Sequence, residues 1–270
     1  MTDGRTIDDP ASPRSPRTGR LWLPRQHGAW AMLALPILVG IATSGFVPSQ
    51  LLLAGAAVSA YLASATLQAW LRARRRPSYV PSIVAYGAAT MLLGIVLLVL
   101  EPRLLLAALV LLPTGALTLA AARPGTPREL ALSLAQVAQA SVLAPAAMLL
   151  AGETSWWALA AATGIAAAEM AGSVLVVRSV IRERDNVGFA VRSAGYHAVI
   201  TLVAAATIPL AYAALGACLT ARAAGLPLAR RRLAAAGGGL RPIQVGLVEA
   251  IASIALVVVA LAVPLTAGRP

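Results

Sequence analysis

Ala168 to Arg192 reads AEMAGSVLVVRSVIRERDNVGFAVR. Its first half is an apolar, small-residue helix with a single acid, Glu169. Its second half gathers Arg178, Arg182, Glu183, Arg184, Asp185, Asn186 and Arg192. A helix leaving a bilayer sets Arg178 and Arg182 on one face, one turn apart, at the water boundary. Glu169 then lies about 13 Å deeper, at 1.5 Å of rise per residue. An acid at that depth costs a few kcal/mol unless it is paired or neutral, which makes Glu169 a functional-site candidate.

The rest of the chain repeats this alternation. Hydrophobic residues make up 59% of the 270, charged residues 12%, and mean hydropathy is +0.79; a soluble domain carries about 25% charged residues. Apolar runs of membrane-spanning length alternate with short arginine-bearing breaks, the pattern of an all-α, polytopic transmembrane helical bundle. The runs lack the period-two alternation of a membrane β-barrel. The net charge of +12 comes from arginine alone, without lysine. These charges lie between spans, so anionic lipid headgroups explain them better than nucleic acid does. The single cysteine, Cys218, allows neither a disulfide framework nor a cysteine metal cluster.

Residues 1–20, rich in Pro, Ser, Thr and Arg, read as a disordered cytosolic tail without a cleavable signal, and residues 21–270 as one membrane domain. Span 1 is expected over about Ala29 to Phe46, entered through the polar cluster Arg25, Gln26 and His27. Span 2 covers about Gln50 to Leu71, span 3 Pro81 to Leu100, span 4 Leu104 to Ala122, span 5 Leu130 to Ala151, and span 6 begins at Trp156. Ala194 to Ala224 is long for one span and tight for two, with Pro209 at its middle. The positive-inside rule decides for two. With two crossings, the loop Arg222 to Arg241 joins the N-terminus, and only Arg103 and Arg269 of the 22 arginines fall on the opposite side. Span 9, about Pro242 to Leu265, contains Glu249. The expectation is nine spans, or eight if that segment crosses once, in the inner (plasma) membrane with a cytosolic N-terminus.

Gln68, Arg72 and Arg76 share one face of span 2. With Arg178 and Arg182 they are expected to converge on one cytosolic cavity, with Gln26 and His27 at its edge. Arginine suits such a clamp because its planar fork donates two parallel charged hydrogen bonds to phosphate or carboxylate. The same arginines also serve as simple topology signals. Gly164, Ala168, Gly172 and Ser173 around Glu169 let another helix approach closely, so the acid is expected to face the bundle interior. Gln68, Gln136, Gln139 and a clamp arginine are its candidate partners. His27 and His197 are interfacial histidines with a possible acid/base role. There is no HExxH, CxxC, Walker loop, GxSxG or GxGxxG motif in a fitting context.

Three segments, RQHGAWAMLALPILVGI at Arg25 to Ile41, LVVRSVIRERDN at Leu175 to Asn186 and RPIQVGLVEAIAS at Arg241 to Ser253, together resemble the YwiC-like family of bacterial integral membrane proteins. A more distant similarity is to the UbiA-type intramembrane prenyltransferases. That resemblance implies nine helices, a cytosolic N-terminus and catalytic loops after helices 2 and 6. The chain departs from that family's Mg²⁺-binding aspartate motifs. The first position set reads Gln68, Arg72, Arg76, and the second keeps only Glu183 and Asp185 among arginines. No metal site or cofactor carries over. The resemblance leaves the expectation of an isoprenoid- or lipid-like anionic amphiphile, held by arginine among membrane lipids. A prenyltransferase-like transferase, a small-solute permease using Glu169 and Glu249, and a non-enzymatic assembly protein all remain open.

Overall fold

A computed structural model describes Trp22 and residues 27–122 and 130–265. The expected tail, Gln26, the side chain of His27 and the loop Arg123 to Glu129 lie outside the described residues. All regular structure among the described residues is helical. We number the α-helices α1 (His27–Ser44), α2 (Ser49–Arg72), α3 (Val80–Leu100), α4 (Ala108–Ala120), α5 (Leu130–Ser141), α6 (Leu143–Leu150), α7 (Trp156–Ile181), α8 (Val187–Thr207), α9 (Leu210–Ala235) and α10 (Pro242–Ala262). Short 3₁₀ turns at Pro77–Tyr79 and Pro102–Ala107 lead into α3 and α4.

Among the described residues, seven helical segments are long and apolar enough to cross a membrane: α2, α3 and α4 (the last two with their leading turns), α5 with α6, α7, α8 and α10. Helix α1 carries a shorter apolar stretch, Trp30–Ser44. The 26 residues of α9 give it spanning length, with Arg222 at its middle. The protein is therefore a multi-pass helical membrane bundle.

Helix α10 shows why this pattern belongs in lipid. Ile243, Leu247, Ile251, Ile254, Val258 and Leu261 recur at helical spacing and are exposed. The opposite face, with Val245, Glu249, Ala252, Leu256 and Ala260, is buried. In water the exposed face would be a large unburied apolar patch; in a bilayer it meets acyl chains. Helix α3 shows the same outward face, with Val84, Met91, Leu92, Ile95 and Val99 exposed.

Small residues set the closest helix contacts. A Cβ on Gly40 of α1 would lie 2.6 Å from the Ala144 carbonyl oxygen of α6 and 2.7 Å from the Ala147 Cβ. Next to this contact, buried Gln50 donates from Nε2 to the carbonyls of Ala147 (2.9 Å) and Gly45 (3.1 Å) and accepts from the Val47 amide (2.9 Å). That network fixes the α1–α2 turn on α6.

Two breaks follow from proline. Pro145 has no N–H to donate back to Ser141, and span 5 divides at Val142 into α5 and α6. The two helices together still form one spanning segment, Leu130–Leu150, as the sequence reading expects. The Ala194 to Ala224 region breaks at Ile208 and Pro209, and α8 and α9 fold back as an antiparallel pair. Thr201 and Thr220 join them through hydroxyls 3.1 Å apart. Gly216 admits Thr201, whose Oγ1 would be 2.7 Å from a Cβ there. The helix continues to Ala235, so Arg222 is not the first residue of a loop, as the charge pattern had suggested. It lies inside a helix, midway along the bundle.

Candidate functional site

The buried face of α7 carries Ala158, Ala162, Ala166, Glu169, Gly172 and Val176. These small side chains bring α8 against α7. A Cβ on Gly172 would stand 2.6 Å from His197 Nε2, so glycine leaves the space that the imidazole occupies. Helices α9 and α10 close the ring and bring Arg222 and Glu249 to the same point.

Arg222 is the centre of this cluster. Its Nη1 donates to Glu249 Oε2 at 3.0 Å and lies 3.5 Å from Glu169 Oε1. The second distance makes an ion pair but is longer than the roughly 2.7–2.9 Å of a charged hydrogen bond. The side chains are 8% exposed for Arg222, 3% for Glu169 and 9% for Glu249. Both Glu169 oxygens are buried without a hydrogen bond among the described residues, Oε1 keeping only its 3.5 Å ion pair with Arg222.

Geometry also assigns the state of His197. Its Nδ1 lies 2.8 Å from the Ser193 carbonyl, which only accepts, so Nδ1 carries the proton. Its Nε2 faces Arg222 Nη2 at 3.4 Å, and arginine only donates, so Nε2 is the acceptor. His197 is the neutral tautomer and adds no positive charge. Beside it, the Tyr196 hydroxyl donates to the Ala168 carbonyl at 3.2 Å.

Two cavities flank the bundle centre. The smaller, about 250 Å³, is lined by Glu169, Tyr196 and His197, by Thr207 and Tyr212, and otherwise by apolar residues of α7, α8, α9 and α10. The larger, about 590 Å³, lies among α1, α2, α3, α4 and α5. Gln68, Arg72 and Arg182 line it together with Gln136 and Gln139. Leu53, Ala57, Gly94 and Leu143 line its other reaches. Neither Arg72 nor Arg182 forms an ion pair with a described acid. Gln68 donates to Ser64 Oγ at 3.1 Å.

The remaining candidates lie elsewhere. Arg74 and Arg75 adopt left-handed backbone angles (φ 53° and 61°), and Arg75 stacks over Trp70. Arg76 follows as the exposed residue before the Pro77 turn and does not line the larger cavity. Arg178 lies 3.5 Å from Glu183 and beside Phe189. Glu183 also accepts from Asn186 Nδ2 at 3.1 Å, and Asn186 caps α8 by accepting from the Phe189 amide. Asp185, 84% exposed, pairs loosely with Arg184 and Arg230. Glu183 and Asp185 therefore organise the loop between α7 and α8 and do not reach the cavity. Glu169 faces the interior, but its partner is Arg222, not a clamp arginine or a glutamine of α2 or α5. The charge pattern alone puts Arg222 at the start of a loop. The available signal was two intramembrane acids and one arginine isolated in the apolar run LTARAAGLP.

Residues 23–148 match the family model described as YwiC-like protein. The Bacillus subtilis (strain 168) protein named Uncharacterized protein YwiC is 31% identical over 190 residues, which cover 68% of this chain and 77% of that one. No solved structure matches the chain. With that identity and coverage, and with an all-helical membrane bundle, the chain belongs to the YwiC-like family.

Proposed function

We propose that the protein binds an amphipathic anionic ligand in the larger cavity, its head at Arg72, Arg182 and Gln68 and its isoprenoid- or lipid-like tail toward Leu53 and Leu143. The observation that carries this reading is a pair of arginines, unpaired among the described residues, at one end of an otherwise largely apolar cavity. Arg72 and Leu53 belong to the same helix, separated by about 28 Å of rise, which suits a long tail. Helices α2 and α3 form one wall and α4 and α5 contribute another. Gln136 and Gln139, neither hydrogen-bonded to a described residue, add donors beside the arginines. The arginine-bearing end faces the cytosol, with the N-terminus on that side of the inner membrane, because Lys/Arg-rich ends stay inside. The order of spans and polar loops in UbiA-type enzymes is consistent with a headgroup site at this end.

The test is calorimetric titration of protein in nanodiscs with dodecyl phosphate and with dodecanol. Each charged hydrogen bond is worth about 1.5–3 kcal/mol, and tenfold in affinity is about 1.4 kcal/mol. Arg72→Gln with Arg182→Gln should weaken dodecyl phosphate binding at least tenfold and leave dodecanol unchanged. Equal binding of dodecyl phosphate to both proteins would sink the proposal.

A further inference from the structure

The smaller cavity holds a different chemistry from the larger one. Two carboxylates, Glu169 and Glu249, meet one guanidinium, Arg222, in the middle of the bundle. His197 is neutral by its hydrogen bonds, and the Tyr196 hydroxyl is directed to a carbonyl. The group is therefore one positive charge short when both acids are ionised. Arg222 favours Glu249, which takes the 3.0 Å hydrogen bond. Glu169, 3% exposed, keeps both oxygens without a hydrogen bond and lines the cavity. A buried carboxylate in that position is costly unless a further cation compensates it.

We infer that this cavity binds a small hydrophobic amine in its ammonium form, with the nitrogen on Glu169 and the apolar body against Ile165, Ile200, Leu215 and Leu256. An ammonium supplies the missing charge and hydrogen-bond donors for the Glu169 carboxylate, whose Oε1 has only the 3.5 Å ion pair with Arg222; a neutral or anionic ligand does not supply both. The volume, about 250 Å³, lies below the roughly 300–1,000 Å³ of drug-sized sites, so the occupant is small. Val203, half exposed on the outer face of α8, also lines the cavity, so the entrance faces the acyl chains. A hydrophobic amine reaches such an entrance as the free base dissolved in the bilayer and is protonated in place. This site is independent of the arginine-lined cavity and does not rest on its occupant.

Thermal melting of the purified protein in detergent at pH 7 tests this, with hexylamine, hexanol and hexanoate as probes. Three proteins are compared. Glu169→Gln removes the charge but leaves the Arg222–Glu249 bond. Ala161→Phe fills the cavity and leaves the carboxylate. Hexylamine should raise the midpoint of the wild type by several degrees, as a ligand selective for the folded state does, and hexanol and hexanoate should not. Both variants should lose the shift. Should Glu169→Gln fail to fold, Ala161→Phe decides, and an undiminished hexylamine shift there overturns the inference. An equal shift with hexanol would show an apolar void without amine selectivity. The absence of any hexylamine shift in the wild type would mean that a proton on Glu169 supplies the missing charge. Either result overturns the proposal.

Discussion

Arg222→Met is the most informative single substitution in the bundle. Methionine keeps much of the arginine stem's length and apolar bulk, so packing changes little, but Glu169 and Glu249 lose their shared cation. Removing one partner from a buried ion pair costs about 3–5 kcal/mol, because the other charge is left uncompensated. For a chain of this size each kcal/mol moves the melting midpoint by about 2–4 °C, so the variant should melt roughly 6–20 °C below wild type. Glu249→Gln should cost less, because Glu169 then remains opposite Arg222 as a single pair. The triple variant Arg222→Met, Glu169→Gln, Glu249→Gln should recover most of the loss, since well-packed neutral groups often replace buried ion groups at little cost. The assay is thermal melting of detergent-purified protein, with the three variants measured together. An Arg222→Met protein that melts with the wild type would refute the account of this cluster. A triple variant no better than Arg222→Met would show that side-chain shape and not charge is at stake.

Three further outcomes are expected. Gly40→Ala should lower stability by about 1–3 kcal/mol, the usual cost of overpacking, because its Cβ would meet the Ala144 backbone at 2.6 Å; Gly87→Ala, with open space around it, should be neutral or gain up to about 1 kcal/mol of helix propensity, and melting curves compare the two. Arg103 donates to both Glu101 oxygens at 2.8 and 2.7 Å, and that hydrogen bonding holds the Glu101 carboxyl down to about 2 from its ordinary 4.5; a depressed carboxyl stabilises above its unfolded value, so this contribution should fade as pH falls from about 4.5 toward about 2, and Glu101→Gln should remove that part of the acid profile. A reporter fused after Ala235 should read as cytosolic, because an outward location would place Arg230, Arg231 and Arg232 against the charge bias.

The membrane bundle and most helix limits were legible because lipid imposes a simple code of long apolar runs ended by charge. The α8–α9 break was legible from Pro209 together with the sidedness of the arginines. The interior direction of Glu169 was readable from its small neighbours. Arg222 was not, because the sidedness rule counts arginines without asking which of them pair inside the bundle. Its depth depends on α9 running on to Ala235 and on Glu249 arriving from α10, both long-range facts. Span 5 was legible as one crossing, and the turn at Val142 within it follows from the missing donor of Pro145. Gln68, Arg72 and Arg182 reached one cavity, whereas the left-handed turn at Arg74 and Arg75 carried Arg76 away, and the guanidinium of Arg178, in the last turn of α7, pairs with Glu183 of the following loop. Pairings of that kind are decided by neighbours distant in sequence or by unusual backbone angles, which helical spacing does not encode.

The most direct test of the proposed function is native mass spectrometry of protein extracted gently from its own membranes, wild type beside Arg72→Gln/Arg182→Gln and a control, Arg231→Gln, whose residue lies outside the cavity lining. The account predicts an anionic amphiphile retained at one per chain by the wild type and the control and lost from the double variant. Identical adducts on all three proteins, or no anionic amphiphile on the wild type, would contradict it.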